Sequence, residues 1–346
     1  MNTIWNKVFT PEEIKKIELS TRRDRRHPLQ RLIFPKDQER DGQVAANTKR
    51  ALNLIVRENN GWIAKIKPRL LDTKDFSTSS AALGEVRAYG YLLEAGFDVS
   101  DIPTQKKATP EFHCSSGNIE FLVEVHSKQM HGDETTALRK FNESKTERNF
   151  KACREIVITP FGKAKQGEST TQNAISKLCS IKQKEHQLSE SIPSIVWMDF
   201  QDEIWDNVFR PDSALPIRSF NGQFTSGELW YAFYGWKNAP IYENHTFEES
   251  IEQRPLSMGH EGRFCNGSII NSIVVSFPRH TIFFENPYKN SMNNIFPMKI
   301  WETFVRIPWF SVEYSWTRRF KGNLKKQIQI EKSNLLALSE VLKFKW

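Results

Sequence analysis

Residues 108–129 read ATPEFHCSSGNIEFLVEVHSKQ, and the fold turns on how they pair. Two short extended runs, Ala108–Cys114 and Asn118–Ser127, flank Ser115, Ser116 and Gly117, which is the pattern of a β-hairpin. In the second run Phe121, Val123 and Val125 alternate with Leu122, Glu124, His126 and Lys128, so the two sets point to opposite faces. One strand face thus gathers a carboxylate, an imidazole and an ammonium. Converging such groups is costly unless something binds them.

Outward from the hairpin the elements alternate. Upstream, DFSTSSAALGEVRAYGYLLEAGFDV (Asp75–Val99) predicts a helix, with Ser and Thr residues for an N-cap and Gly96 as a C-terminal stop. Ala82, Val86, Tyr89 and Leu93 form its inward stripe, and Glu85 sits on or beside that stripe, where a carboxylate is unexpected. Residues 43–71 also read as helical. Downstream, residues 137–154 predict a basic helix and Arg154–Phe161 a strand. Gln172–Gln187 predicts a helix with Lys177, Lys182 and Lys184 exposed, and Ser194–Phe200 a buried strand. Strand–helix–strand alternation argues an α/β architecture. Ser268–Phe277 and His280–Asn286 read as a second antiparallel pair turning at Pro278, and Gly322–Leu342 as an amphipathic helix. Eight of the ten tryptophans follow residue 196, and GELWYAFYGW (Gly227–Trp236) reads as core or interface rather than a base-stacking surface.

Composition narrows the class. The chain has 346 residues and a formal charge of +8. Residues 1–75 hold 17 Lys and Arg against 10 Asp and Glu, and residues 137–187 hold 11 against 5. Two basic zones on a mildly acidic body suit contact with a phosphate backbone. No apolar run is long enough for a transmembrane helix and the first residues lack a secretory pattern, so a cytoplasmic protein is expected. Cys114, Cys153, Cys179 and Cys265 are scattered, which fits reduced thiols. The spacing of His113, His126 and His131 matches no zinc pattern. The chain contains no G-x-S-x-G, G-x-x-x-x-G-K-[ST] or G-x-G-x-x-G, so serine hydrolysis and nucleotide hydrolysis are not indicated.

The order helix Glu85, then Pro110-Glu111 at a strand start, then Glu124-Val125-His126 on the next strand resembles the PD-(D/E)xK nuclease superfamily. The likeness covers roughly residues 75–200. It implies a restriction-endonuclease-like core, a mixed central β-sheet flanked by helices (75–200). A basic helical N-terminal extension (1–74) would precede it, and an aromatic-rich C-terminal part (201–346) would complete or extend it. It further implies a Mg²⁺- or Mn²⁺-dependent endodeoxyribonuclease in which Glu85, Glu111 and Glu124 hold the metal. Such hard cations take oxygen ligands and keep waters. Glu111 replaces the family's aspartate, and His126 replaces its lysine. His126 would position or deprotonate water, with Lys128 on the same face stabilising phosphate charge. Gln129, Arg22, Arg23, Arg25, Arg26, Arg139 and Lys140 are the candidate nucleic-acid contacts. The implied partner is double-stranded DNA. A two-strand cut needs two such sites, hence an expected homodimer, and restriction or anti-phage defence, with a partner protein, is the setting by analogy. The alternative is a nuclease-fold protein that has lost catalysis and binds nucleic acid as a sensor or scaffold.

Overall fold

The computed structural model describes residues 4–21, 26–35, 40–103, 109–127, 161, 164–182, 188–189, 191–201, 210–246, 256–265, 267–289 and 297–342. Its organising helix is the one bearing Glu85, Phe76–Ala95. Asp75 caps it by accepting from the Ser77 amide, and Gly96 ends it in the left-handed region at φ 94°. The predicted single stripe understates its burial, because apolar and small residues on all sides are covered, including Ala88, Tyr89, Tyr91 and Leu92. Before it come five helices: α1 (Ile4–Val8), α2 (Pro11–Glu18), α3 (Pro28–Ile33), α4 (Arg40–Glu58) and α5 (Asn60–Leu70). The helical stretch read over 43–71 is therefore two helices, broken at Asn59, whose side chain caps α5 at the Trp62 amide. The Glu85 helix is α6.

After α6 the chain enters β1 (Asp98–Asp101), then β2 (Phe112–Ser116) and β3 (Ile119–Ser127), the hairpin expected from the sequence. Then follow α7 (Thr170–Ser180), β4 (Ser194–Asp199), α8 (Glu228–Tyr234), β5 (Ser272–Phe277), β6 (His280–Glu285), α9 (Met298–Phe304) and α10 (Leu324–Val341). These six strands form one sheet in the order β1-β2-β3-β4-β5-β6. β3, β4 and β5 run parallel and the outer pairings are antiparallel, so the sheet is mixed. Parallel neighbours need crossovers, and helices on both faces supply the cover such strands require.

The alternation along β3 and β4 splits the apolar residues between two clusters. Phe121, Val123, Val125, Ile195 and Trp197 join α1–α6 and α9 on one face. Val196 and Met198 join α7, α8 and α10 on the other. Trp230, Tyr231, Phe233 and Tyr234 of α8 are buried in the second cluster, so these four aromatics of GELWYAFYGW are core, with Trp236 half-buried against them. No helix among the described residues is long and apolar enough to cross a membrane. The strand read at Arg154–Phe161 and the basic helix at 137–154 lie outside the described residues, Phe161 excepted.

Candidate active site at the β2–β3 hairpin

The hairpin register pairs Phe112 with Val123, and Glu111 stands one residue before β2, beside Glu124 on β3. The contact is physical: the Val125 amide donates to Glu111 Oε2 at 2.7 Å. Glu124 is 1% exposed and its register partner on β4 is Val196, so it points to the α7–α8 face. One Glu124 oxygen meets Lys182 Nζ; the other, Oε2, is buried with no N–H or hydroxyl donor on it, and the neighbouring Glu111 carboxyl hydrogen-bonds to Glu124 when protonated. Burial pushes the Glu111 carboxyl up to about 9, aided by the neighbouring Glu124 through its charge and a hydrogen bond between the two carboxyls, and opposed by the Val125 amide. Two adjacent buried carboxyls resist giving up both protons, which is why the shift is upward.

Glu85 arrives from α6. The helix passes close to β3 and β4 at Gly84, where a Cβ would lie 1.8 Å from Ser127 Oγ and 3.2 Å from Asp199 Cβ. Glu85 is 7% exposed and is gripped by Arg69 of α5, whose two terminal nitrogens each donate to a different carboxylate oxygen at 2.7 Å. Burial raises its pKa, against the lowering effect of Arg69; the Glu124 charge also raises it and Lys182 lowers it. Glu85 thus shares the electrostatic environment of the hairpin carboxylates while bonded to a cation of its own.

Lys182 is a residue that sequence reasoning placed wrongly. The sequence pattern puts it at an exposed position on a helix reaching Gln187, but α7 ends at Ser180 and Lys182 takes a left-handed backbone, φ 53°. The turn directs its side chain, 28% exposed, onto Glu124. Arg263 holds the turn by donating to the Lys182 carbonyl at 2.6 Å. A residue 58 positions from its partner leaves no local signature.

The other sequence candidates divide. His126 lies two residues beyond Glu124 on the same strand face, half-buried, opposite Met198. Arg26 is engaged within the N-terminal helices, donating to the Gln30 carbonyl at 3.2 Å and the Phe34 carbonyl at 2.6 Å, with Asp41 at 3.9 Å. Lys128, Gln129, Arg22, Arg23, Arg25, Arg139 and Lys140 lie outside the described residues.

Among the described residues no three His, Cys, Asp or Glu side chains are drawn together as a ready metal cage. The structure pairs Glu111 with Glu124 and turns Glu85 to Arg69. The donor set still suits a hard dication: two adjacent buried carboxyls meet the one- or two-carboxylate demand of Mg²⁺, with waters completing its shell. Comparison of the chain with protein-family models, curated protein sequences and solved structures finds no match.

Proposed function

We propose that the protein is a metal-dependent nuclease of the restriction-endonuclease-like type that hydrolyses DNA phosphodiester bonds. The observation that carries this reading is the buried, adjacent carboxyl pair Glu111–Glu124 on the hairpin, close enough to Glu85 of α6 for the Glu124 charge to raise the Glu85 pKa. Glu111 and Glu124 would hold Mg²⁺ or Mn²⁺, and Glu85 would complete the set. A dication held there would supply Lewis-acid activation of water and charge stabilisation on a phosphate.

Lys182 supplies the ammonium that the resemblance would put at position 126. It is already at the carboxylates, in a turn fixed by Arg263, and its reach suits stabilising negative charge on a phosphate oxygen. His126, one strand step beyond Glu124, orients water or accepts its proton. The mixed sheet covered by helices on both faces supports the fold part of this reading.

A second reading has its own observation. Arg69 and Lys182 already neutralise Glu85 and Glu124, as in a scaffold that binds nucleic acid without cutting it. Supercoiled plasmid incubated with Mg²⁺ or Mn²⁺ separates the two. The wild type is expected to nick it, and Glu124→Ala to lose about 10²–10³-fold or more in rate, the scale of a lost electrostatic contribution. Lys182→Ala is expected to fall by a similar factor while His126→Ala falls less. Binding without nicking in either metal favours the scaffold, and cleavage that survives Glu124→Ala refutes the site.

A further inference from the structure

Beside the carboxylates runs a cleft of about 620 Å³. Glu85 and Glu111 line one side, with Asp101 at the end of β1, and α5 lines the other with Lys65 and Arg69. Lys65 and Arg69 are four residues apart, about one helical turn, so their Cα atoms lie about 6 Å apart along the axis. Each is paired across the cleft, Arg69 to Glu85 and Lys65 to Asp101 at 2.8 Å. Yet both cations are accessible, their side chains 43% and 65% exposed. The Lys65–Asp101 pair is open to water and weak, whereas the bidentate Arg69–Glu85 pair sits on a buried carboxylate and yields only where another cation replaces Arg69.

The partners of Arg69 differ in what they tolerate. Glu85 is buried and keeps a charge only beside a cation. Arg69 tolerates solvent, and its fork fits two oxygens of a phosphodiester as well as two of a carboxylate. A second cation on Glu85 therefore makes Arg69 available without stranding either group. We propose that this cleft is a phosphodiester-backbone subsite, in which Arg69 leaves Glu85 for a substrate phosphate as a divalent cation takes its place on Glu85. Lys65 then takes a neighbouring phosphate. The proposal rests on the nuclease reading and adds to it the wall that grips the substrate strand, which belongs to the N-terminal helices.

The test uses the full chain in two titrations: Mn²⁺ alone by calorimetry, and a fluorescein-labelled DNA oligonucleotide by anisotropy over a range of salt in Ca²⁺. Arg69→Gln is expected to bind Mn²⁺ roughly threefold to tenfold more tightly, since a competing cation is gone. The same variant is expected to bind DNA about tenfold more weakly, with a salt slope reduced by about one. Lys65→Gln, an exposed change with little bearing on folding, is expected to weaken DNA binding and leave Mn²⁺ binding unchanged. Arg69→Lys is expected to recover the salt slope of DNA binding. If Arg69→Gln weakens Mn²⁺ binding, Arg69 builds the carboxylate site instead of competing for it. If DNA affinity is unchanged in both variants, the cleft is no phosphate subsite. A wild type that binds neither Mn²⁺ nor DNA sinks the nuclease reading itself; one that binds both, with variants that do not split the two affinities, sinks only the exchange.

Discussion

At the scale of single residues, the buried carboxylates outside the cleft show how strongly the interior sets charge. Glu228 opens α8 and accepts from Arg218 at 2.6 Å through one oxygen, while its other oxygen is buried away from other side chains. Burial pushes its carboxyl from the ordinary 4.5 up to about 7, more than the nearby Arg218 charge pulls it down. Between those two values the folded protein holds a proton that the unfolded chain has released. The stabilisation is fully present below pH 4.5 and is lost as pH rises through about 7, amounting to at most about 3 kcal/mol at 1.36 kcal/mol per pH unit. Glu228→Gln keeps the acceptor and removes the titration. The difference in melting temperature between variant and wild type is expected to grow in the variant's favour from pH 5 to 8. Parallel curves across that range would show that Glu228 does not titrate there. Residue identity was legible in part. Glu111, Glu124 and Glu85 stood out because carboxylates interrupt apolar patterns at a hairpin and on a helix. Arg69 and Lys182 did not stand out, because their partners lie 16 and 58 residues away and nothing local marks them.

At the scale of elements, the site depends on how closely α6 lies to its neighbours, and two glycines decide that. Gly84 meets a serine hydroxyl that can rotate, with two Cβ atoms at 3.2 Å, so Gly84→Ala is expected to shift α6 slightly and lower activity more than stability. Gly90 faces Ala51 of α4, and an added Cβ would sit 2.4 Å from the Ala51 Cα, which is backbone and cannot turn aside. Gly90→Ala is expected to destabilise by about 1–3 kcal/mol or more, from overpacking that outweighs the gain in helix propensity. Denaturant unfolding measures both; a Gly90→Ala variant as stable as wild type would mean that α4 and α6 do not touch so closely in solution. The hairpin and the β5–β6 pair were legible because period-two alternation and turn residues are local signals. The all-round burial of α6 was not. Its sequence offers one apolar stripe, and only the packing of α4 over the far side explains why Arg87 is fully buried. Arg87 survives there because Asp199, at the end of β4, accepts from it at 2.7 and 2.9 Å.

At the scale of the whole molecule, the basic N-terminal stretch that reads as an appendage is built into the body. Trp5, Phe9, Leu29, Ala51 and Ile55 belong to the same cluster as α6 and the inner face of β3. Trp62 of α5 stacks on Tyr89 at 4.5 Å, with Phe112 of β2 edge-on to both. The charge balance could not reveal this, because an excess of Lys and Arg over Asp and Glu says nothing of how the apolar residues among them pack. Burial of large apolar side chains is what drives folding, and α6 and the sheet cannot find a substitute for the surface these helices cover. Deleting residues 1–74 would leave Ala88, Tyr89 and the inner ends of β1 and β2 facing water, together with the partners of Thr48 and Asn47 around Arg87 and Gln201. The truncated chain is therefore expected to lose its near-ultraviolet circular dichroism and bind a hydrophobic dye, while the full chain unfolds with α1–α6 and the sheet in one transition. The outcome bears on the chemistry as well as the fold, since the same deletion removes Arg69 and Lys65 from the cleft. A truncated protein with native near-ultraviolet signal and a sharp melt would show that the sheet and α6 stand alone, and that α1–α5 are an accessory laid on a finished core.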